Sequence, residues 1–254
     1  IVPSGVVTVT NGAATNFAIT ADPNYHVSNV VVDTINLGPT NAYTFSNVTN
    51  NHALDAFFAI DTFTVVVDTV YGTAVPVGLL VYDYNTAVPF AIVDSPVPAG
   101  TTQYACRGWT GSGSVPSNGL ATNVIVTVTN NSTLTWEWQT NYWLGAAGDG
   151  YGSVDTTGAW FRAGTNVLLT ATPTNGYHFL NWTGDLSSTN NPLDVAMDRP
   201  YSVTANFAIN YYSISATAGT NGAITPTGVV KVAHGDGTNY LIAPAAHYHV
   251  SDLK

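Results

Sequence analysis

The sequence predicts an all-β chain, a tandem array of small modules set in an elongated row. Three observations carry this. Apolar and polar residues alternate along segment after segment, most clearly where Tyr201, Val203, Ala205 and Phe207 interleave with Ser202, Thr204 and Asn206. That is the pattern of a strand with one face on a core. No stretch of ten residues shows the i, i+3, i+4, i+7 spacing of an amphipathic helix. The chain also repeats itself. Shifted by 223, Ile1-Val2-Pro3-Ser4-Gly5-Val6-Val7 falls on Ile224-Thr225-Pro226-Thr227-Gly228-Val229-Val230, and Tyr25-His26-Val27-Ser28 on Tyr248-His249-Val250-Ser251. Shifted by 149, Leu54, Ala56, Phe58 and Ala59 fall on Val203, Ala205, Phe207 and Ala208, and the match runs on from Phe63 and Val65 to Tyr212 and Ile214. Self-similarity at fixed offsets marks a repeat architecture.

Four modules follow from these offsets. In residues 1–60, Val6, Val7 and Val9 lead as a strand into Asn11-Gly12, a turn pair that supplies positive φ cheaply. Phe17 and Ile19 alternate next, Tyr25-His26-Val27 enters the apolar run 30–32, and Tyr43 and Phe45 form a further pair. Leu54, Ala56 and Phe58 close the module with their side chains toward its core. Residues 61–140 are a longer version, with residues 103–111 in the place of residues 176–184 and Leu134-Thr135-Trp136-Glu137-Trp138 as the closing strand. Residues 141–209 are the third module, opening at residues 142–144, and residues 210–254 are the front half of a fourth. Closing and opening strands are joined within about four residues and without a Gly/Ser linker, which predicts stiff junctions.

Both ends cut a module. Ile1 corresponds to Ile224, so the first module lacks its opening strand, the counterpart of residues 211–218, and the fourth lacks the counterpart of residues 32–59. Two accounts stay open. The chain is a window of a longer array, or a strand from one chain, residues 211–218 being the evident donor, completes the open module of the next.

Composition narrows the function. The chain is 45% hydrophobic but only 8% charged, and five basic against fifteen acidic residues give a formal charge of −10. With no Lys/Arg cluster there is no basic face for nucleic acid or an anionic membrane, and no apolar run reaches the length of a membrane span. Cys106 is the only cysteine, which excludes an intrachain disulfide and a Cys-based zinc site and reads as a small buried hydrophobe.

The pattern Ala171-Thr172-Pro173, Gly176-Tyr177-His178-Phe179, Trp182-x-Gly184-Asp185 and Val203-x-Ala205-x-Phe207-Ala208 resembles the divergent internalin-type B-repeats of bacterial surface proteins. Residues 104–113 with 134–138 resemble a longer, Trp-rich variant. The resemblance implies small β-grasp-like modules used in stalks, adhesins and envelope proteins, and no enzymatic activity.

Candidate sites are few. His247 and His249 stand on one strand face with His234 or Asp236 in reach as metal ligands, although His249 sits where His26 and His178 do and reads as repeat framework. Asp185, Asp194 and Asp198 lack the tight spacing of a calcium loop, and Asp185 reads as an Asx turn after Gly184. Tyr142 and Trp143, with Trp136 and Trp138, are the material for a sugar-binding platform, yet Trp136 and Trp138 replace core-facing Ala205 and Phe207. Phe57 replaces Asn206 on the solvent face, and with Tyr211, Tyr212, Tyr142 and Trp143 completes the interaction candidates. No nucleophile–base pair, carboxylate pair or phosphate loop is present, and no cofactor is expected. The expectation is an extracellular or cell-surface structural repeat protein, a stalk, adhesin region or filament subunit. Its partner is then itself, head to tail or laterally. The alternative is a carbohydrate- or protein-binding module using the Trp/Tyr-rich second unit.

Overall fold

The computed structural model describes residues 1–254, and every regular element in it is a strand, as the alternation predicts. The chain divides into two compact units, residues 1–97 with 105–138, and residues 98–104 with 139–254.

In the first unit, residues 1–60 form β1 (Thr15–Ala18), β2 (Tyr25–Val32), β3 (Ile35–Gly38), β4 (Ala42–Phe45) and β5 (Leu54–Ile60). β1 pairs antiparallel with β4, and β2 pairs antiparallel with both β3 and β5. Ile19, Val27, Val30, Val32 and Phe45 form the core beneath them. The second repeat adds β6 (Thr62–Thr69), β7 (Ala74–Val75), β8 (Gly78–Asp83), β9 (Thr86–Ile92), β10 (Val97–Ala99), β11 (Thr102–Ser112), β12 (Asn118–Gly119), β13 (Asn123–Val128) and the front half of β14 (Ser132–Gly148). Here β6 lies between β8, antiparallel, and β14, parallel, with Val65 opposite Ser132 and Val67 opposite Leu134. Trp136 and Trp109 meet edge to face at 5.8 Å in a core that also holds Phe90 and Leu134.

The second unit takes the back half of β14, then β15 (Gly152–Val154), β16 (Gly158–Arg162), β17 (Asn166–Leu169), β18 (Ala171–Pro173), β19 (Tyr177–Gly184), β20 (Leu193–Ala196) and β21 (Tyr201–Ile209). Its main sheet runs β16, β14, β21, β19: Leu144 faces Ala159 antiparallel and Tyr201 parallel, and Trp182 faces Ala205. Leu144, Leu169, Trp182, Val195, Met197 and Ala205 are fully buried. Residues 210–254 form β22 (Tyr211–Ala216), β23 (Gly222–Thr225), β24 (Gly228–Ala233) and β25 (Leu241–Pro244), paired β22 with β24 and β23 with β25.

The repetition reaches the level of register. β2–β5 and β19–β21 match residue for residue, Val30 opposite Ala56 as Trp182 is opposite Ala205. Both carry an irregularity at the same place, between Val27 and Asn29 and between Phe179 and Asn181. The complete sheet of the third repeat has an opening strand parallel to its closing strand, and the second repeat has the same in β6 beside β14. No strand stands in that position beside β5.

Two expectations are corrected by that difference. Val6, Val7 and Val9 form no strand, since no described strand lies beside them to pair with; only Val2 is bridged, to Ala18. Phe58 is 42% exposed although its counterpart Phe207 is 6% exposed. Phe207 lies against Gly148 and Gly152, where added Cβ atoms would stand 3.5 and 2.3 Å from its ring, and residues 1–60 provide no such cover.

Candidate interaction surface

The open edge of β5 borders a trough of about 690 Å³. Residues 3–9 form one wall and residues 50–55 the other, with Phe17, Phe45 and Val48 below. Phe45 anchors the floor: the Phe17 and Tyr43 rings pack against it edge-on at 5.9 and 4.8 Å, and the His52 ring stacks on it at 4.9 Å. His52 Nδ1 lies 2.6 Å from Asp33 Oδ2, while Asp33 Oδ1 accepts the Ala53 N–H at 2.8 Å. The Ala53 amide first, and then His52, hold the Asp33 carboxyl below its ordinary value by hydrogen bonding to the charged form. His52 and Ala53 of that wall are thus tied to Asp33, whereas Val6 in the other wall is fully exposed.

Where one repeat passes to the next, a small joint recurs. Asp61 N–H donates to the Asn24 carbonyl at 2.9 Å and its carbonyl accepts from Tyr84 at 2.8 Å. Asn210 does the same with Gly176 at 2.7 Å and His234 at 2.8 Å. His26 Nδ1 lies 2.9 Å from Asp61 Oδ1, and His178 Nδ1 lies 2.8 Å from Asn210 Oδ1. Thr140 shares part of this joint, accepting from Ala163 at 2.9 Å.

Residues 142–211 match the family model described as a divergent InlB B-repeat domain. Over the third repeat, then, the chain is similar to the divergent B-repeat domain. No curated protein and no solved structure matches the chain. The family is one of bacterial surface repeat domains, and the β2–β5 ladder repeats the register of β19–β21 inside the matched residues.

The B-repeat frame accounts for several candidates. His26 and His178 are joint residues, but His249 is exposed near the second, smaller trough, and His247 sits in the turn closed by Tyr248 N–H to the Ala245 carbonyl, with φ +67°. No three His, Cys, Asp or Glu side chains converge on a point that would hold a metal. Asp185 makes a cross-strand clasp rather than a local turn: its Oδ2 accepts the Ser202 N–H at 2.7 Å and its own N–H donates to the Ser202 carbonyl at 2.9 Å. Asp33 with Ala53 is the same clasp in the first repeat. Asp194 Oδ2 accepts from Asn166 at 3.4 Å, and Asp198 Oδ1 from the Tyr201 hydroxyl at 2.7 Å.

The aromatic platform does not form. Trp136 is buried, and the Trp138 indole N–H donates to Thr69 Oγ1 at 2.9 Å. Successive strand residues point to opposite faces, so Tyr142 packs on the core with Leu144 while Trp143 turns outward. There it meets Trp160, its cross-strand partner, at 5.4 Å. Trp160 was not among the candidates, since only the β14–β16 register makes them neighbours. Tyr211 and Tyr212 are exposed, and the Tyr212 ring lies 6.0 Å from that of His234.

Phe57 is 53% exposed, as its solvent-face position predicts. Its cost lies across the sheet. In the third repeat Asn206 Nδ2 donates to Asn181 Oδ1 at 3.0 Å and to Thr183 Oγ1 at 3.0 Å. Phe57 takes the place of Asn206 opposite Asn29, and Asn29 Oδ1 is buried without a hydrogen bond. Cys106 is half-buried with Sγ 3.6 Å from the Gly108 carbonyl, and burial pushes its thiol up from the ordinary value.

Proposed function

We propose that the chain is an extracellular structural segment of a bacterial surface protein, acting as a stiff spacer or as a fibre that associates with copies of itself. The B-repeat match of residues 142–211 is the observation that carries this reading. The recurring joint supports it, because a junction restrained by backbone hydrogen bonds leaves adjacent repeats little freedom. With so few charges, contacts between copies rest on hydrogen bonds and aromatic packing, which salt screens weakly. The reading assigns the chain no catalytic role, metal or cofactor. Binding of a surface glycan or protein through the second repeat is the weaker alternative, since Trp109 and Trp136 belong to a core.

Sedimentation at low and high salt together with a glycan array tests the proposal. Self-association that persists at high salt, with an empty array, is the expected result. A specific glycan hit lost on Trp143→Ala would replace the structural reading with the binding one.

A further inference from the structure

One sheet edge of the second repeat carries none of the usual protection. β8 pairs with β6 alone, so its outer side presents N–H and C=O groups without a ladder partner. The ladder from Thr62 opposite Asp83 to Val67 opposite Gly78 runs without a bulge, and no proline interrupts residues 78–83. Leu79 and Val81 point outward and are 70% and 60% exposed, beside the exposed Val66 of β6. The corresponding strands of the later repeats differ. The offset of 149 and the two parallel ladders make Val65, Leu144 and Ile214 equivalent, and these face Leu80, Ala159 and Val230. Val81 therefore holds the place of Trp160 and Lys231, and Asp83 that of Arg162. A basic side chain on an edge strand opposes edge-to-edge pairing, and β8 has none.

We propose that β8 is a self-docking strand, paired edge to edge and antiparallel with β8 of a second copy of this chain, about a two-fold axis at Leu80. The strand is complementary to itself in this register. Residues opposed across an antiparallel pair share a face, so the centre falls on a residue. With Leu80 there, Leu79 meets Val81 of the second copy in both halves of the contact, two apolar cross-strand pairs on the outward face. Gly78, beside which a Cβ would find open space, meets Tyr82 of the second copy. Asp83 meets the exposed Val77 of the second copy, which keeps the two carboxylates apart. The neighbouring registers are poorer. Centred on Val81, the pair sets Asp83 against Leu79; centred on Leu79, it sets Tyr82 against Pro76, which has no N–H to give. An isologous contact of this kind closes on itself, so it joins two chains side by side. The proposal rests on the self-associating form of the structural reading and names its contact.

The test is sedimentation velocity of the full 254-residue chain over a concentration series at high salt. The expected result is a monomer–dimer equilibrium that Val81→Lys weakens by about tenfold or more. Ile125→Lys, at a 74% exposed position on β13 of the same repeat, dimerises like the parent. Hydrogen exchange on the unaltered chain gives a second readout: amides of residues 79–83 slow by about tenfold or more on going from dilute to concentrated solution, while those of residues 123–128 do not change. A chain that stays monomeric overturns the proposal and the self-associating reading together. Association that Val81→Lys leaves intact, equal weakening by both variants, or unchanged exchange in residues 79–83 overturns the proposal alone and leaves self-association standing.

Discussion

Residues 1–9 and residues 224–232 carry the same pattern, Ile-x-Pro-x-Gly-Val-Val followed by alternation, yet fold differently. Val229 and Val230 lie in β24, laddered to Ser215 and Ile214 of β22. Val6 and Val7 have no such neighbour and form no strand. β-propensity measures how well a side chain suits a pleated, partly buried surface, so the same valines become a strand only where a partner strand supplies that surface. The contrast extends to the closing strands. β21 has neighbours on both edges and buries Phe207, whereas β5 has one and exposes Phe58.

The comparison is most readily broken at the third repeat's core. Trp182 is fully buried, and its indole donates to the Asn190 carbonyl at 3.0 Å. Trp182→Ala is expected to cost about 3–5 kcal/mol in urea denaturation of the second unit, through the cavity and the lost bond. Next come the opening strands. Leu144→Ala should cost about 2–5 kcal/mol, because Leu144 is fully enclosed. Ile214→Ala at the equivalent place should cost less than about 1 kcal/mol, since Ile214 lacks the covering sheet. Equal costs in the same melt would show that β22 is as well covered as β14.

Phe57→Asn sharpens the comparison by restoring the cross-strand amide pair that joins Asn206 to Asn181. With Asn29 Oδ1 satisfied, the first repeat should gain about 1 kcal/mol in the same denaturation measurement. The smallest effect is that of acid on the clasp in the first repeat. The folded Asp33 carboxyl is held below its ordinary value, so its contribution is present above that value, about 3.9, and is lost as pH falls through the folded one. Hydrogen exchange at Ala53, corrected for intrinsic rates, should rise below about pH 4, and Asp33→Asn should remove that dependence.

The all-β class and the offsets were legible because alternation and self-similarity are local properties of the string. The closing strands, the buried Trp136 and the outward Phe57 followed from period two. What stayed hidden depends on who stands across the sheet. Phe58 reads as core by its position, but burial requires the strand that covers Phe207 in the third repeat. Asp185 reads as a local turn because Ser202 becomes its neighbour only through the β19–β21 register. Trp143 finds Trp160 in the same way. The irregularity after Val27 and Phe179 has no sequence mark that separates it from ordinary alternation.

The central claim is that an opening strand decides whether this pattern becomes a sheet, and hydrogen exchange on the isolated chain tests it most directly. The account predicts that amides of residues 5–9 exchange about tenfold or more faster than those of residues 228–232 under the same conditions. Equal protection in the two segments would contradict it, for then the valines would hold their strand without a partner.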